Sequence, residues 1–419
     1  MRPPRLWWIW LMLFWLWPGI SQAETPEAKP VRTWWQWFDP RTSPFIPLPE
    51  IATDPNGGTT VGFLPVWLFT DPNQQIRQIL APDLTHNTTL GIGGTFRLPS
   101  YPSADSQWYV IVGAAEKIVR RVDLSYATGL TRQERWSFDG RLFFERDPTE
   151  RFFGLGNRSP TRRETNYTTE QGYGEARVGW NVTPTLQLAL EARPRFVRIK
   201  QGAFSALPSP ARLFPKLRGL RSNHELLWRL LLTYDTRDSL AIPRRGSQVT
   251  LFGGFADQAI LSSVSYSLFG IEARQNFPVH RRVTLAGHFA IRYMPVGKQA
   301  PFWALSRLGG DRNLVGVRQA LRGFGEGRFI DHQLFAANVE LRSRVVDLDV
   351  FTTHVVLELA PFLDVGRVFH SLAANPFRQL HVVGGLGFRG VAAPFVVGYV
   401  DVGYGSEGFA VFSGPNYPF

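Results

Sequence analysis

Charged side chains are the residues of this sequence that could carry chemistry, because the usual catalytic groupings are missing from it. The 419 residues contain no cysteine, which excludes disulfides, thiol nucleophiles and thiolate metal sites. The eight histidines are scattered without the spacing of metal ligands. Neither a Gly-x-Ser-x-Gly turn nor a phosphate-binding glycine loop occurs. The sequence therefore predicts no enzyme, no cofactor and no metal site.

The first 23 residues have the composition of a secretory signal peptide. Arg2 and Arg5 form a charged start, residues 6–16 are apolar, and Ser21-Gln22-Ala23 offers the small residues that signal peptidase recognises. The apolar run is too short for a spanning helix, so we expect cleavage after Ala23 rather than an anchor. No later apolar run is long enough to cross a bilayer as a helix. We therefore predict an exported chain.

Several segments alternate apolar and polar residues with the period of a β-strand. Because successive side chains of a strand point to opposite faces, Leu357 and Leu363 share one face and Asp364 lies on the other. In the same way, Leu341 and Glu340 fall on opposite faces. The alternating segments are 224–234, 283–293, 333–345 and 354–369. If the apolar face is the outer one, the acids point inward.

This alternation fits a transmembrane β-barrel, but it also fits a soluble β-protein whose apolar face forms the core. The segments are longer than the soluble average of about 5–6 residues, which favours the barrel. Aromatic residues also cluster near strand ends, as in interfacial girdles. These clusters are Trp67 with Phe69, Tyr266 with Phe269, Phe362 with Phe369, and Phe409 with Phe412. We predict an all-β fold, a transmembrane antiparallel β-barrel in a bacterial outer membrane.

The pattern predicts sixteen strands, an even number as single-chain bacterial barrels require. They lie near 59–69, 87–97, 107–116, 118–128, 133–145, 167–182, 184–200, 223–236, 246–256, 260–277, 281–296, 332–345, 354–369, 379–390, 394–404 and 408–419. An even count puts both chain ends on the periplasmic side and the long connections outside. The predicted domains are a signal peptide at 1–23, a short periplasmic segment rich in Pro and Trp at 24–58, and the barrel at 59–419.

Four adjacent arginine pairs contribute to the formal charge of +12, and such pairs can indicate nucleic-acid binding. The pairs are Arg120-Arg121, Arg162-Arg163, Arg244-Arg245 and Arg281-Arg282. In an exported barrel they would instead meet lipopolysaccharide phosphates and lipid headgroups, or line the lumen. We expect outer-membrane lipids and lipopolysaccharide as partners and no nucleic acid. We interpret His332 and His354 as polar lumen or interface residues rather than metal ligands.

Several short motifs resemble those of the outer-membrane assembly-factor superfamily, the bacterial surface antigen family that includes BamA and TamA. Leu321-Arg322-Gly323-Phe324, in the longest connection, resembles the family's Val-Arg-Gly-Phe/Tyr motif. The further matches are Phe362-Leu363-Asp364-Val365-Gly366, Glu340-Leu341-Arg342, Phe153-Gly154-Leu155-Gly156-Asn157 and Asp235-Thr236-Arg237-Asp238. The terminal Phe419 resembles the signature read by the barrel assembly machinery, which we expect to insert this chain. Segment 24–58 is too short for a POTRA domain, so we expect a barrel-only member.

The resemblance implies that the long external loop folds into the lumen. There Arg322 would meet Glu340 and Asp364, since a guanidinium suits bidentate carboxylates. Gly323 would allow close approach to the wall, with Phe324 packed beside it. Gly366 belongs to the strand motif of Asp364.

Prolines mark the seam where the first and last strands close the barrel. Pro65 lies in the first predicted strand, and Pro415 and Pro418 lie in the last, before Phe419. Because proline donates no ladder hydrogen bond, the closing pairing could be short and weak, as lateral opening in the superfamily would need. The alternative is that these prolines sit just beyond the paired region.

The resemblance favours a role in inserting proteins, or lipids, into the outer membrane or moving them across it. Unfolded barrel proteins or secreted proteins would be the clients. Two alternatives stay open: a pore for small solutes or a secreted partner, and a structural surface-antigen barrel with a plugged lumen.

Overall fold

The computed structural model describes residues 45–419, apart from 73–74, 118, 296–299, 312, 315–316, 319–320, 351–352 and 394–395. The predicted signal peptide and residues 24–44 of the predicted periplasmic segment lie outside the described residues. Strands dominate the described chain. They are β1 (Phe45–Asp54), β2 (Gly58–Thr70), β3 (Ile76–Leu80), β4 (Asp83–Asn87), β5 (Gly91–Ser100), β6 (Ser106–Ala115), β7 (Arg120–Thr128), β8 (Trp136–Phe152), β9 (Thr165–Thr183), β10 (Leu186–Gln201), β11 (Asn223–Asp235), β12 (Gly246–Ala256), β13 (Tyr266–His280), β14 (Val283–Tyr293), β15 (Ser306–Leu308), β16 (Asn313–Leu314), β17 (Val317–Arg318), β18 (Phe329–Asp331), β19 (Gln333–Val350), β20 (Thr353–Phe369), β21 (His381–Ala392), β22 (Val396–Gly405) and β23 (Gly408–Pro415).

Nineteen of these strands form one antiparallel sheet that closes into a barrel. Strands β3 and β4 follow one another in the same position between β2 and β5, so the barrel wall has 18 strand positions. Because this number is even, β1 begins and β23 ends at the same end of the barrel. The opposite end carries the long connections 153–164, 202–222 and 294–332 and is called the external end below.

The prediction of sixteen strands is wrong, because two of the eighteen wall positions have no clear strand pattern in the sequence. One is β1, which lies within segment 24–58 and contains Pro47 and Pro49. The other is the pair β3 and β4, two five-residue strands separated by Ala81 and Pro82. Prolines and short runs weaken the alternation on which strand prediction depends. The prediction of an all-β transmembrane barrel is otherwise confirmed.

The wall turns its apolar side chains outward and many of its charges inward, as the alternation predicts. In β20, Leu363 is 50% exposed, whereas the neighbouring Asp364 is fully buried. In β11, Leu230 is exposed and Arg229 is buried. This is the arrangement of a barrel whose outer face meets lipid. The aromatic clusters are a partial exception, since four of their members are buried rather than placed on an outer girdle: Tyr266, Phe362, Phe369 and Phe412.

Residues 294–332 are called the luminal loop below, and their described part folds back into the barrel between β14 and β19. Within it, β15 pairs with β18 and β16 pairs with β17. Its apolar side chains form one buried cluster with inward residues of the wall. The buried loop residues of this cluster include Phe302, Leu308, Phe324 and Phe329. The predicted insertion of the loop into the lumen therefore matches the described structure.

Helices contribute little to the fold. The described residues include one α-helix, α1 (Pro210–Leu213), and one 3-10 turn, Thr161–Arg163, both in external connections. None of the described helices has the length and apolar character needed to cross a bilayer.

Within the part of the chain that the structure describes, the seam between β1 and β23 has the fewest ladder pairs of any two neighbouring wall positions, with β3 and β4 taken as one position. Among the described residues, a single pair, Thr53 with Val411, joins the two strands. By contrast, β19 and β20 pair from Gln333 to Val350, with one irregularity. Each unmade ladder hydrogen bond removes a small net stabilisation of about 0.5–1.5 kcal/mol, so closure here is held far less firmly than the rest of the wall.

Amide hydrogen exchange tests this difference between edges. In β23, the amides that point toward β1 should exchange quickly, whereas the alternate amides that bond β22 should be protected. Between Val356 and Gly366 of β20 both sets should be protected, because this stretch has a paired strand on each side. Uniform slow exchange along β23 would show a fully paired seam and contradict this prediction.

Candidate functional site

Arg322 of the luminal loop is fully buried against the barrel wall. Its Nε and Nη2 donate to the two carboxylate oxygens of Asp364 at 2.9 and 2.7 Å, and its backbone N–H donates to Oδ2 at 3.1 Å. Its Nη1 donates to Glu340 Oε1 at 2.5 Å and to Asp401 Oδ2 at 2.8 Å. The guanidinium also lies over the ring of Phe362, 3.6 Å from the centroid. The fork geometry of arginine is thus used almost completely.

Two further arginines complete the charge balance. Arg389 bonds Asp401 and, at 3.0 Å, Glu340. Arg342 Nε donates to Glu340 Oε2 at 2.9 Å. The ion cluster is defined as these three arginines with the three acids: Arg322, Arg342, Arg389, Glu340, Asp364 and Asp401. Three positive charges therefore meet three negative ones, all of them buried.

This balance explains how charges persist in the interior. Burial by itself lowers the pKa of the Arg322 guanidinium, but Asp364 and Glu340 outweigh it and hold the pKa well above its ordinary value. The Arg322 guanidinium therefore stays charged beside these carboxylates. A buried charged guanidinium needs its carboxylate partners. The loop can therefore leave the wall only if water reaches the ion cluster and solvates the separated charges.

The cluster is assembled by strand register. Four consecutive wall strands, β19 to β22, contribute the inward charged residues: β19 supplies two, Glu340 and Arg342, and β20, β21 and β22 supply one each. Asn338 of β19 faces Asp364 of β20 in the ladder, and its side-chain amide donates to Asp364 Oδ1 at 2.8 Å. A one-residue slip of either strand would turn these side chains toward lipid. The register of the wall and the position of the loop are therefore coupled.

The glycines beside Arg322 permit the loop to touch the wall. A Cβ on Gly323 would lie 2.7 Å from the backbone nitrogen of Gly405. A Cβ on Gly403 would lie 1.9 Å from the carbonyl oxygen of Arg322. On Gly366 it would lie 3.0 Å from Leu308. Side chains at these positions would hold the loop away from the wall.

The structure brings together the residues that the resemblance implied. Arg322, Glu340 and Asp364 are in direct contact, and Phe324 is buried beside them against the ring of Phe329. Sequence reasoning missed Asp401 and Arg389. Both lie at inward positions of β22 and β21, so the alternation of those strands held the signal that would have found them.

Of the prolines predicted to lie at the seam, Pro65 is not in a seam strand, whereas Pro415 ends one. Pro65 is in β2, one strand from the seam, because β1 precedes it. Pro415 is the last residue of β23 and faces Gly398 of β22. Pro418 and Phe419 follow the strand. Phe419 is buried inside, where its carbonyl accepts a hydrogen bond from Arg342 at 3.3 Å.

The luminal loop also touches both sides of the seam at the external end. Asn56, in the turn between β1 and β2, donates to the carbonyl of Glu326 at 2.8 Å. On the other side, Arg328 bonds Glu407, in the turn between β22 and β23, at 2.8 Å. Nearer the periplasmic end, the Asp311 carboxylate accepts a hydrogen bond from Tyr399 of β22, the strand next to β23. One loop therefore connects the two edges that share a single ladder pair.

The protein is therefore a transmembrane β-barrel of the class in which a long external loop is held inside the lumen, here by buried ion pairs. The sequence profile of the Omp85 superfamily domain matches residues 109–389. The chain therefore belongs to the Omp85 superfamily, whose barrels are outer-membrane proteins. This confirms the family resemblance of the sequence motifs.

Comparison with solved structures shows a shared fold at low sequence identity for BamA. The crystal structure of BamA from Haemophilus ducreyi lacking POTRA domains 1–3 matches with a TM-score of 0.52 and 12% identity, over 88% of this chain and 75% of that one. CdiB from Escherichia coli matches with a TM-score of 0.49 and 9% identity, over 89% of this chain and 62% of that one. No curated protein matches this chain in sequence.

Arg322→Ala should destabilise the barrel, because it leaves three buried carboxylates with two arginines. Breaking a buried ion pair typically costs about 3–5 kcal/mol. We expect lower abundance in the membrane and a lower unfolding temperature, followed by the heat-dependent shift in gel mobility of the purified barrel. Arg212→Ala, at an exposed arginine of an external connection, is the control. Equal unfolding temperatures for the two variants would contradict the role of Arg322.

Gly403→Ala should displace the loop without removing any charge, since the new methyl group would meet the Arg322 carbonyl. We expect faster trypsin cleavage within the luminal loop of the folded barrel. Gly398→Ala in the same strand is the matched control, because a Cβ there has no heavy atom within 4 Å. If both variants are cleaved as slowly as the parent, the close approach does not hold the loop.

Proposed function

We propose that this barrel assists the insertion of proteins into the outer membrane, or their translocation across it, through a seam controlled by the luminal loop. The observation that carries the proposal is the single ladder pair between β1 and β23. A strand edge with unpaired N–H and C=O groups is a template for pairing with another strand. An incoming barrel strand could pair there with main-chain hydrogen bonds alone, which would make the site tolerant of client sequence.

The ion cluster gives this seam one rigid side. Its acids lie on β19, β20 and β22, so the wall is braced up to the strand that precedes β23. The flexible element is then β1, whose Pro47 and Pro49 lack N–H donors. Opening would separate β1 from β23 while the braced wall stays in register. Contacts of the loop with Asn56 and Glu407 would be released in the same step.

The proposed setting follows from the family. The chain would be exported by the predicted signal peptide, cleaved after Ala23, and inserted into the outer membrane by the barrel assembly machinery. Its clients would be unfolded barrel proteins or secreted proteins. Lipids and lipopolysaccharide would contact its apolar outer face and external arginines. A freely open pore is less well supported, because the luminal loop fills the interior with buried side chains.

A cross-link across the seam tests the proposal directly. The chain has no cysteine, so Thr53→Cys with Val411→Cys places one thiol pair at the bridging residues. Proteoliposomes containing this variant would be given a urea-unfolded outer-membrane barrel, and the rate at which it gains protease protection would be measured. We expect faster protection than with empty liposomes when the pair is reduced, loss of the acceleration on oxidation, and recovery with reductant.

The control pair is Val112→Cys with Val122→Cys, opposite residues of β6 and β7 far from the seam. Oxidation of this pair should leave the rate unchanged. Acceleration that survives the seam cross-link would exclude the seam as the route. No acceleration by any form would exclude the insertase, and ion conductance of the same liposomes would then distinguish a pore from a plugged structural barrel.

A further inference from the structure

Three side chains that are capable of binding metal meet at the external end of the barrel. Asp331 ends β18, His332 follows it, and His370 follows β20 on the neighbouring hairpin. The Nδ1 atoms of His332 and His370 lie 3.2 and 3.3 Å from Asp331 Oδ1. One ligand atom from each residue falls within 4.8 Å of the others. Sequence spacing hides this group, because His370 is distant from the other two along the chain.

The separations suit a small tetrahedral ion. Ligand atoms that lie 2.0–2.1 Å from a tetrahedral metal are about 3.3 Å apart, which is close to both N–O distances here. Imidazole nitrogen with a carboxylate favours zinc and similar transition metals over Mg²⁺ or Ca²⁺, which prefer oxygen ligands. We propose that Asp331, His332 and His370 form a binding site for a divalent transition metal of the Zn²⁺ class.

The surroundings support a built site rather than a chance meeting of surface side chains. Asp331 is buried. The main chain at both histidines is held, since Ser306 donates to the carbonyl of His332 at 2.9 Å and Gln333 donates to that of His370 at 3.4 Å. His370 is exposed, which gives the ion a path from solvent. Ligands fixed by their backbones lose little freedom when the metal binds.

The fourth coordination position would face an external cavity of about 490 Å³. Asp331 and His370 line it together with Arg158, Arg163 and Arg367. A zinc ion on one carboxylate and two neutral imidazoles keeps a net positive charge. Together with these arginines it would favour water or an anionic group as the fourth ligand.

The consequence concerns the luminal loop. Asp331 belongs to β18, which pairs with β15 inside the barrel, whereas His370 belongs to the connection between β20 and β21. A bound ion would therefore tie the end of the luminal loop to the barrel wall. Binding to the closed arrangement alone would stabilise that arrangement by a free energy that rises with the logarithm of metal concentration above Kd. This inference stands apart from the proposed assembly function, since metal binding can be measured without any client.

The test uses the full chain, purified without a histidine tag in detergent. Zn²⁺ binding would be measured by competition with a chromogenic chelator and by metal analysis after dialysis. We expect one ion per chain, and at least about tenfold weaker binding in His370→Ala and in His332→Ala, since even outer-shell changes cost 10–100-fold. The exposed external His224→Ala is the control and should bind as the parent does.

A second readout follows the loop itself. Zn²⁺ should slow trypsin cleavage within the luminal loop of the parent, but not of His370→Ala. That variant should keep the parent's unfolding temperature in chelator, because His370 is exposed. Lack of Zn²⁺ binding by the parent would overturn the proposal. So would binding that is undiminished in both histidine variants, or a preference for Mg²⁺ over Zn²⁺.

Discussion

A buried guanidinium cannot exist without acceptors, and this constraint organises the barrel. Arg322 is charged and fully buried, so carboxylates must be present at fixed positions on the wall to pair with it. Glu340, Asp364 and Asp401 do so from three different strands. The strands can supply them only in one register. The position of the loop, the register of the wall strands and the balance of buried charges therefore depend on one another.

The same condition divides the wall into a firm part and a loose part. The strands β19 to β22 are paired along most of their length and joined through the ion cluster. The edge between β1 and β23 has one ladder pair and relies on loop contacts at Asn56 and Glu407. A barrel with uniform seams has no preferred place to open. Here the asymmetry is built into the fold, and the luminal loop contacts the turns on both sides of the seam.

The low identity to BamA of known structure has a physical explanation. A lipid-facing wall asks only for outward apolar side chains and inward small or polar ones, which many residue types satisfy. Close approaches and buried charges are less permissive. Gly403 leaves no room for a side chain beside the Arg322 carbonyl, and Asp364 must accept two parallel hydrogen bonds. Likeness of fold therefore extends over 88% of the chain at 12% identity.

The sequence by itself determined the class of fold, the inward direction of Glu340 and Asp364, and the motif that carries Arg322. These follow from strand periodicity and short motifs, which are local properties of the chain. Only the tertiary structure decided the eighteen strand positions, since β1 and the short β3 and β4 gain their strand character from neighbours. It also brought Asp401 and Arg389 to the cluster and His370 to Asp331. Such meetings depend on the register of neighbouring strands and on the folding of the luminal loop into the barrel, which join residues whose separation along the chain carries no signal.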